Sequence, residues 1–256
     1  MRLIILAAGQ GGRLRPLTND RPKCLVELQG RPLLQWQIDT ARAVGIKKIV
    51  VVGGYLIDHL RGYDVTVIEN PHFATTNMVQ SLRCASDWFE DGFVMSYGDI
   101  VYSESVLENL LADPAPIAVT VDTKWRSYWE LRIEDPLLDA ETLKIRSDGS
   151  LLEVGQKPLT YDDIQAQYIG LVAFRQSGVT RLNEMLMTIA REAEVGAHPF
   201  GGKRSLDMLY MTDLLQGMIT TGESLHAYKI EGQWMEIDTV SDLDLAHRML
   251  LEGRLG

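Results

Sequence analysis

At 256 residues the chain is long enough to bury a core as one α/β domain, and its 46% hydrophobic content fits a soluble globular protein. The formal net charge of -10, from 35 acidic against 25 basic residues, argues against a nucleic-acid backbone or an anionic membrane as main partner, since either is repelled at long range. No apolar run approaches the roughly 20 residues of a transmembrane helix and no signal-peptide pattern opens the chain. Its two cysteines, Cys24 and Cys84, offer neither a disulfide framework nor zinc spacing, so a cytoplasmic protein is expected.

A short apolar strand, Leu3 to Ala7, runs into Leu6-Ala7-Ala8-Gly9-Gln10-Gly11-Gly12-Arg13-Leu14-Arg15-Pro16-Leu17-Thr18, with Pro22-Lys23 beyond. Gly9, Gly11 and Gly12 leave no Cβ between backbone and ligand, so amide N–H groups can point at phosphate oxygens. Arg13, Arg15, Arg21 and Lys23 oppose a single carboxylate, Asp20, which is the local charge an anion site on an acidic protein requires. Leu14 and Pro16 stand where a dinucleotide loop needs its last glycine and its helix, and no Gly-Lys-Ser/Thr closes the run as in a P-loop.

Apolar spacing predicts a helix over Leu33–Val44, ending at Gly45. Ile49–Val52 reads as a strand closing on Gly53-Gly54-Tyr55, and Val65–Ile68 as a third strand before the Asn70-Pro71 turn. This alternation predicts a mostly parallel sheet with helices on both faces, and ligands beyond the carboxyl ends of its strands. The glycine loop and Gly53-Gly54-Tyr55 both lie at such ends and can share one site. Asn77 is the expected N-cap of the next helix with Gln80 in capping-box position, while Gln80 and Ser81 could equally hydrogen-bond a base. The strand Phe93–Tyr97 delivers Gly98-Asp99, where the carboxylate either helps hold a nucleotide-bound magnesium or caps the turn toward Ser103.

Ser103–Ala112 reads as a helix and Ile117–Val121 as a buried strand. Within Asp122–Leu131, Trp125, Tyr128 and Trp129 fit neither helical nor strand periodicity cleanly. They either line a pocket able to hold an ammonium group by cation–π attraction or pin a loop onto the core. Leu143–Ile145 and Leu151–Val154 read as a hairpin around Ser147-Asp148-Gly149-Ser150, followed by Gly155-Gln156-Lys157-Pro158. Gln165–Phe174 is a predicted strand with Gln167, Tyr168 and Gly170 near its polar start. Val179–Ala190 and Met211–Met218 are predicted helices, and the Gly196–Ser205 stretch between them a mobile loop or partner contact. Trp234–Thr239 is a short strand giving out on Asp238, and Ser241-Asp242-Leu243-Asp244 reads as the capping box of the last helix. No internal repeat, low-complexity segment or linker is evident.

The run from Leu6 to Thr18, with its Pro22-Lys23 pair, resembles the sugar-phosphate nucleotidyltransferase signature L-A-A-G-x-G-x-R-L-x-P-L-T. Val52-Gly53-Gly54-Tyr55, Thr76-Asn77-Met78-Val79, Ser96-Tyr97-Gly98-Asp99-Ile100, the run Asp135–Leu143, Gln167-Tyr168-Ile169-Gly170-Leu171 and Tyr210-Met211-Thr212 extend the resemblance. They resemble the small cytidylyltransferases that activate phosphocholine, aminoalkylphosphonates or glutamine phosphate for surface glycans. The resemblance implies one Rossmann-like three-layer α/β/α domain over residues 1–256, with a mostly parallel mixed sheet. It implies transfer of a nucleoside monophosphate, CMP from CTP, to a small phosphoryl or phosphonyl acceptor with release of pyrophosphate.

By the same resemblance, Ala8, Gly9, Gly11, Gly12, Arg13, Lys23, Gly54, Tyr55, Asn77, Gln80 and Ser81 contact the nucleotide, with Arg13 and Lys23 catalytic. Asp99 and Asp238 hold Mg²⁺, while Asp122, Trp125, Tyr128, Trp129, Lys157 and Tyr168 meet the acceptor. A homodimer is expected by analogy with the family. A phosphate monoester with a second pKa of about 6 is already ionised at neutral pH, so no general base is needed and no histidine is assigned a role. A hexose-1-phosphate nucleotidyltransferase using UTP, dTTP or GTP is the alternative reading. Against it stand the aromatic cluster and Gln156, where family members usually carry Glu before Lys-Pro. A silent nucleotide-binding subunit is at odds with the joint presence of Arg13, Lys23, Asp99 and Asp238.

Overall fold

Runs such as Ile49-Val50-Val51-Val52, apolar at every position, are satisfied only in a strand covered on both faces. The structure is a computed structural model describing residues 1–254. Its central sheet comprises β1 (Arg2–Ala7), β2 (Ile49–Gly53), β3 (Thr66–Glu69), β4 (Phe93–Tyr97), β5 (Ile117–Asp122), β6 (Gln167–Phe174) and β7 (His226–Ile230), in the order β7-β5-β6-β4-β1-β2-β3. Neighbours are parallel except at β6, which runs antiparallel to β4 and β5. The mostly parallel mixed sheet predicted from sequence is therefore observed.

The helices are α1 (Leu33–Ala43), α2 (Met78–Cys84), α3 (Glu104–Ala112), α4 (Trp125–Arg132), α5 (Ser177–Glu194), α6 (Met211–Thr220) and α7 (Val240–Leu251). Alternation along β1 sends Leu3 and Ile5 into a core shared with α1, α3, α4 and α7, and Ile4 and Leu6 into a second core with α2, α5 and α6. The result is three layers. Leu6 lies opposite both Val52 and Tyr97, so the chain leaves β1, β2 and β4 at one edge. There Gly98 donates its N–H to the Leu6 carbonyl at 2.9 Å, where a Cβ would clash. An antiparallel pair, Ile100–Tyr102 with Trp234–Glu236, then brings the C-terminal segment beside Asp99.

Several elements differ from the sequence expectation. Trp125, Tyr128 and Trp129 lie on α4 with i, i+3, i+4 spacing, and all three are buried, so the aromatic pattern is helical after all. Asn77 caps α2 by accepting from the Met78 N–H at 2.9 Å, but Gln80 completes no capping box because its amide donates to Asp207 and accepts from Arg83. The last helix is capped by Thr239, whose hydroxyl accepts from the Asp242 N–H while the Asp242 carboxylate accepts from the Thr239 N–H. Ser241 consequently falls inside the first turn. The Gly196–Ser205 stretch, expected as a mobile loop or partner contact, packs against α6: Phe200 occupies the space a Cβ on Gly217 would need, and Arg204 pairs with Asp213 at 2.8 Å. Among the described residues, no helix is long and apolar enough to cross a membrane.

Candidate active site

Gly11 adopts a φ of 62°, and a Cβ there would stand 2.9 Å from the Cβ of Lys23. Glycine thus lets the loop fold back against Lys23. From behind, the Thr18 hydroxyl donates to the Gly11 carbonyl at 2.8 Å, the Tyr55 N–H to the Ala8 carbonyl at 3.2 Å and the Tyr55 hydroxyl to the Asn19 carbonyl at 3.1 Å. A cavity of about 150 Å³ opens in front, lined by Ala8, Gly9, Lys23, Asn77, Ser81 and Asp99 among others. Gly54 stands behind this lining, where its missing Cβ makes room for Phe73, a cavity residue the sequence reading did not single out. Gly11, Gly12 and Tyr55 shape the loop rather than line the cavity. Gln80 faces a separate groove beside α5, with Arg83.

The ammonium of Lys23 lies between Asp99 (Oδ2, 2.6 Å) and Asp238 (Oδ1), and the Arg13 guanidinium meets the other oxygen of Asp238 at 2.7 Å. Burial alone would lower the Lys23 pKa, but the charges of Asp99 and Asp238 outweigh it and leave it raised, so this lysine stays protonated. Carboxylate oxygens of Asp99, Glu236 and Asp238 lie within 4.8 Å of one another, and Asp99 Oδ1 is buried with no hydrogen-bond partner. Hard oxygen donors with one orphaned among them fit a magnesium ion. Glu236 was not foreseen, although it precedes Asp238 by two residues, the period at which strand side chains share a face. Burial, opposed by the neighbouring Arg132, raises its pKa. Arg132 itself is buried and pairs with Glu236 at 2.8 Å and Asp242 at 2.9 Å.

A second cavity of about 340 Å³ adjoins the first, since Met78 and Tyr97 line both. Arg13, Asp139, Glu141 and Glu236 form its charged wall, and Trp129, Tyr168, Tyr210 and Trp234 its aromatic one. The Trp129 indole donates to Asp139 at 3.0 Å. Gln167, buried, donates to the Glu141 carbonyl and accepts from the Glu141 N–H at 3.1 Å, so its amide brackets the Glu141 peptide. The Glu141 side chain lines this cavity on an exposed stretch of chain; desolvation first, then Asp213 and Asp139, raise its pKa to about 7 against the opposing charge of Arg204.

Of the acceptor residues predicted from sequence, Trp129 and Tyr168 line this cavity. Trp125 instead packs against Trp129 and Tyr161, with ring centroids 6.0 and 6.3 Å away. The Tyr128 hydroxyl exchanges hydrogen bonds with the backbone of Glu236. Asp122, only 1% exposed, accepts from the Trp234 indole at 2.9 Å and from two backbone N–H groups, so it braces the wall rather than facing an acceptor. Lys157 is exposed, donates to the carbonyls of Leu137 and Leu138 and is not among the residues lining the cavity. Asp139, Glu141 and Tyr210 lie in stretches that carried the family resemblance, but spacing alone gave them no role.

The chain matches the family model described as the MobA-like NTP transferase domain over residues 3–187. It is similar to the CTP:phosphoglutamine cytidylyltransferase of Campylobacter jejuni, 36% identical over 256 residues that cover 96% of this chain and 98% of that protein. Similarity extends to the choline-phosphate cytidylyltransferase of Streptococcus pneumoniae, 33% identical over 158 residues, 59% of this chain and 69% of that protein. The solved structure of the CTP:phosphocholine cytidylyltransferase from Streptococcus pneumoniae superposes with a TM-score of 0.71 over 97% of this chain and 98% of that one. At 21% identity that likeness is one of fold.

Proposed function

The chain belongs to the MobA-like NTP transferase family, and on that premise we propose that it is a magnesium-dependent cytidylyltransferase moving CMP from CTP to a small amine-bearing phosphoryl or phosphonyl acceptor. Residues 1–256 would act as one domain. The observation that carries this reading is the junction of the two cavities. Lys23 and Asp99 line one, Arg13 and Glu236 line the other, and Asp238 joins Lys23 to Arg13.

With the triphosphate over Gly9, an acceptor oxygen entering from the second cavity attacks the α-phosphorus and pyrophosphate leaves. The obstacle is repulsion between two anions, so positioning and charge neutralisation dominate. Lys23 and Arg13 exchange their aspartate partners for phosphate oxygens and neutralise the developing charge. Asp99 and Asp238, with Glu236 beside them, would hold a magnesium ion, which would supply further neutralisation at the phosphates. Asn77 and Ser81, which line the first cavity, would meet the base. The acceptor's ammonium sits among Asp139, Glu141 and the faces of Trp129 and Trp234, where cation–π attraction contributes about 0.5–2 kcal/mol.

Pyrophosphate release with Mg²⁺ tests this, with CTP, UTP, GTP and dTTP each offered phosphocholine, 2-aminoethylphosphonate, glutamine phosphate and glucose-1-phosphate. Turnover with CTP and an amine-bearing acceptor is expected. Turnover with the sugar phosphate alone would overturn the reading in favour of a hexose-1-phosphate enzyme.

A further inference from the structure

Arg204 stacks on a residue that lines the acceptor cavity and takes no part in the reaction above. Its guanidinium stacks 4.9 Å from the ring centroid of Tyr210, a cavity-lining residue that is itself 42% exposed. One nitrogen, Nη1, donates to Asp213 Oδ1 at 2.8 Å, while Asp213 Oδ2 accepts from the Tyr210 N–H at 2.9 Å and caps α6. Among the described residues, Nε and Nη2 have no hydrogen-bond partner, and the side chain is half-exposed. The guanidinium is also near enough to Glu141 to oppose the rise of its pKa.

Resting on the cytidylyltransferase reading, we propose that Arg204 is a specificity-determining residue that binds a carboxylate on the acceptor. The preferred acceptors are then zwitterionic amino acids bearing a phosphoryl or phosphonyl group, rather than simple amines. The cavity wall carries Asp139, Glu141 and Glu236, which attract an ammonium and repel a carboxylate. A carboxylate on the same carbon as that ammonium must therefore turn away from them. Arg204, stacked on the lining residue Tyr210 and already oriented by it and by Asp213, has two donors left for a forked pair of hydrogen bonds. Arg13, a cation that lines the cavity, is paired with Asp238 and is assigned to the reacting phosphates.

Two matched pairs of acceptors test the proposal, each differing by one carboxylate: O-phosphoserine against phosphoethanolamine, and 2-amino-4-phosphonobutyrate against 3-aminopropylphosphonate. The full-length protein should favour the carboxylate-bearing member of at least one pair in kcat/KM with CTP. Arg204→Gln should reduce that preference by about 10- to 100-fold, through KM rather than kcat, and Arg204→Lys should restore part of it. Thermal unfolding of each variant controls for loss of fold. Turnover of the amines with no preference for the carboxylate would overturn this proposal while leaving the proposed function intact. An Arg204→Gln variant that slows both members of a pair equally would also overturn it, making Arg204 a brace for α6. No turnover with any amine acceptor would overturn both.

Discussion

The cavity beside the glycine loop is lined by a few short stretches, residues 6–9, 23–24, 76–78 and 97–99 with Phe73 and Ser81, whereas the cavity across Tyr97 collects the run 167–170 and residues scattered from Arg13 to Glu236. In the first, glycines and strand termini present backbone, and backbone chemistry is nearly independent of neighbouring side chains. The second depends on carboxylates and indoles that meet only once α4, β6, α6 and the Trp234–Glu236 strand have packed. The nucleotide end should accordingly be unforgiving at few positions, and the acceptor end adjustable at many.

The largest effect should come where the two regions join. Asp99→Asn removes charge from the cluster both cavities share, and pyrophosphate release should fall by about 10³-fold with unfolding unchanged. Full activity in that variant would remove Asp99 from the metal site. Next comes the support beneath the acceptor wall. Arg132→Met leaves Glu236 and Asp242 without their buried partner, and urea unfolding should show a loss of about 3–5 kcal/mol. A loss below about 1 kcal/mol would show these pairs to be nearly neutral in stability.

A smaller and more selective effect is expected at Glu141. Glu141→Gln should raise KM for amine acceptors by about 10-fold while leaving KM for CTP alone. The pH dependence follows from the raised pKa near 7, set by desolvation, Asp213 and Asp139 against Arg204. Below that pH the carboxyl is protonated and offers no charge to an ammonium, so acceptor binding should tighten as pH rises through about 7. In Glu141→Gln that step should shrink, leaving the ionisation of the acceptor's own phosphate near about 6 and that of Glu236, whose pKa burial also raises. Equal pH profiles for the two proteins would separate Glu141 from acceptor binding. The smallest change should follow Trp129→Phe, which keeps an aromatic face but removes the hydrogen bond to Asp139. A rise of about 3-fold in acceptor KM is expected, and a rise above about 30-fold would make that bond, rather than the ring, the main contribution.

What could be read before folding follows the same division. The places of most strands, to within about three residues, the α2 cap at Asn77 and the position of Asp99 at the end of β4 all express local preferences, and the structure has them, whereas the strand His226–Ile230 was not foreseen. Trp125, Tyr128 and Trp129 gave no clean periodicity in the sequence reading, although their i, i+3, i+4 spacing is that of one helix face, and only packing assigns Trp129 to the cavity and the other two to the core. Lys157 matched a motif, but its ammonium is held by the turn at Leu137 and Leu138. Motif spacing fixes a residue's place along the chain, not the direction its side chain takes.

By itself the sequence determined the glycine loop, its cluster of cations and the alternation of strands and helices, because φ/ψ preference, charge density and burial period are properties of neighbouring residues. Only the tertiary structure decided that Lys23 would meet Asp238, 215 residues away, that Glu236 would join Asp99, and that Gln167 would hold Glu141 at the cavity wall. Such meetings depend on strand order and register, which arise from the packing of the whole sheet and leave no mark in any short stretch of chain.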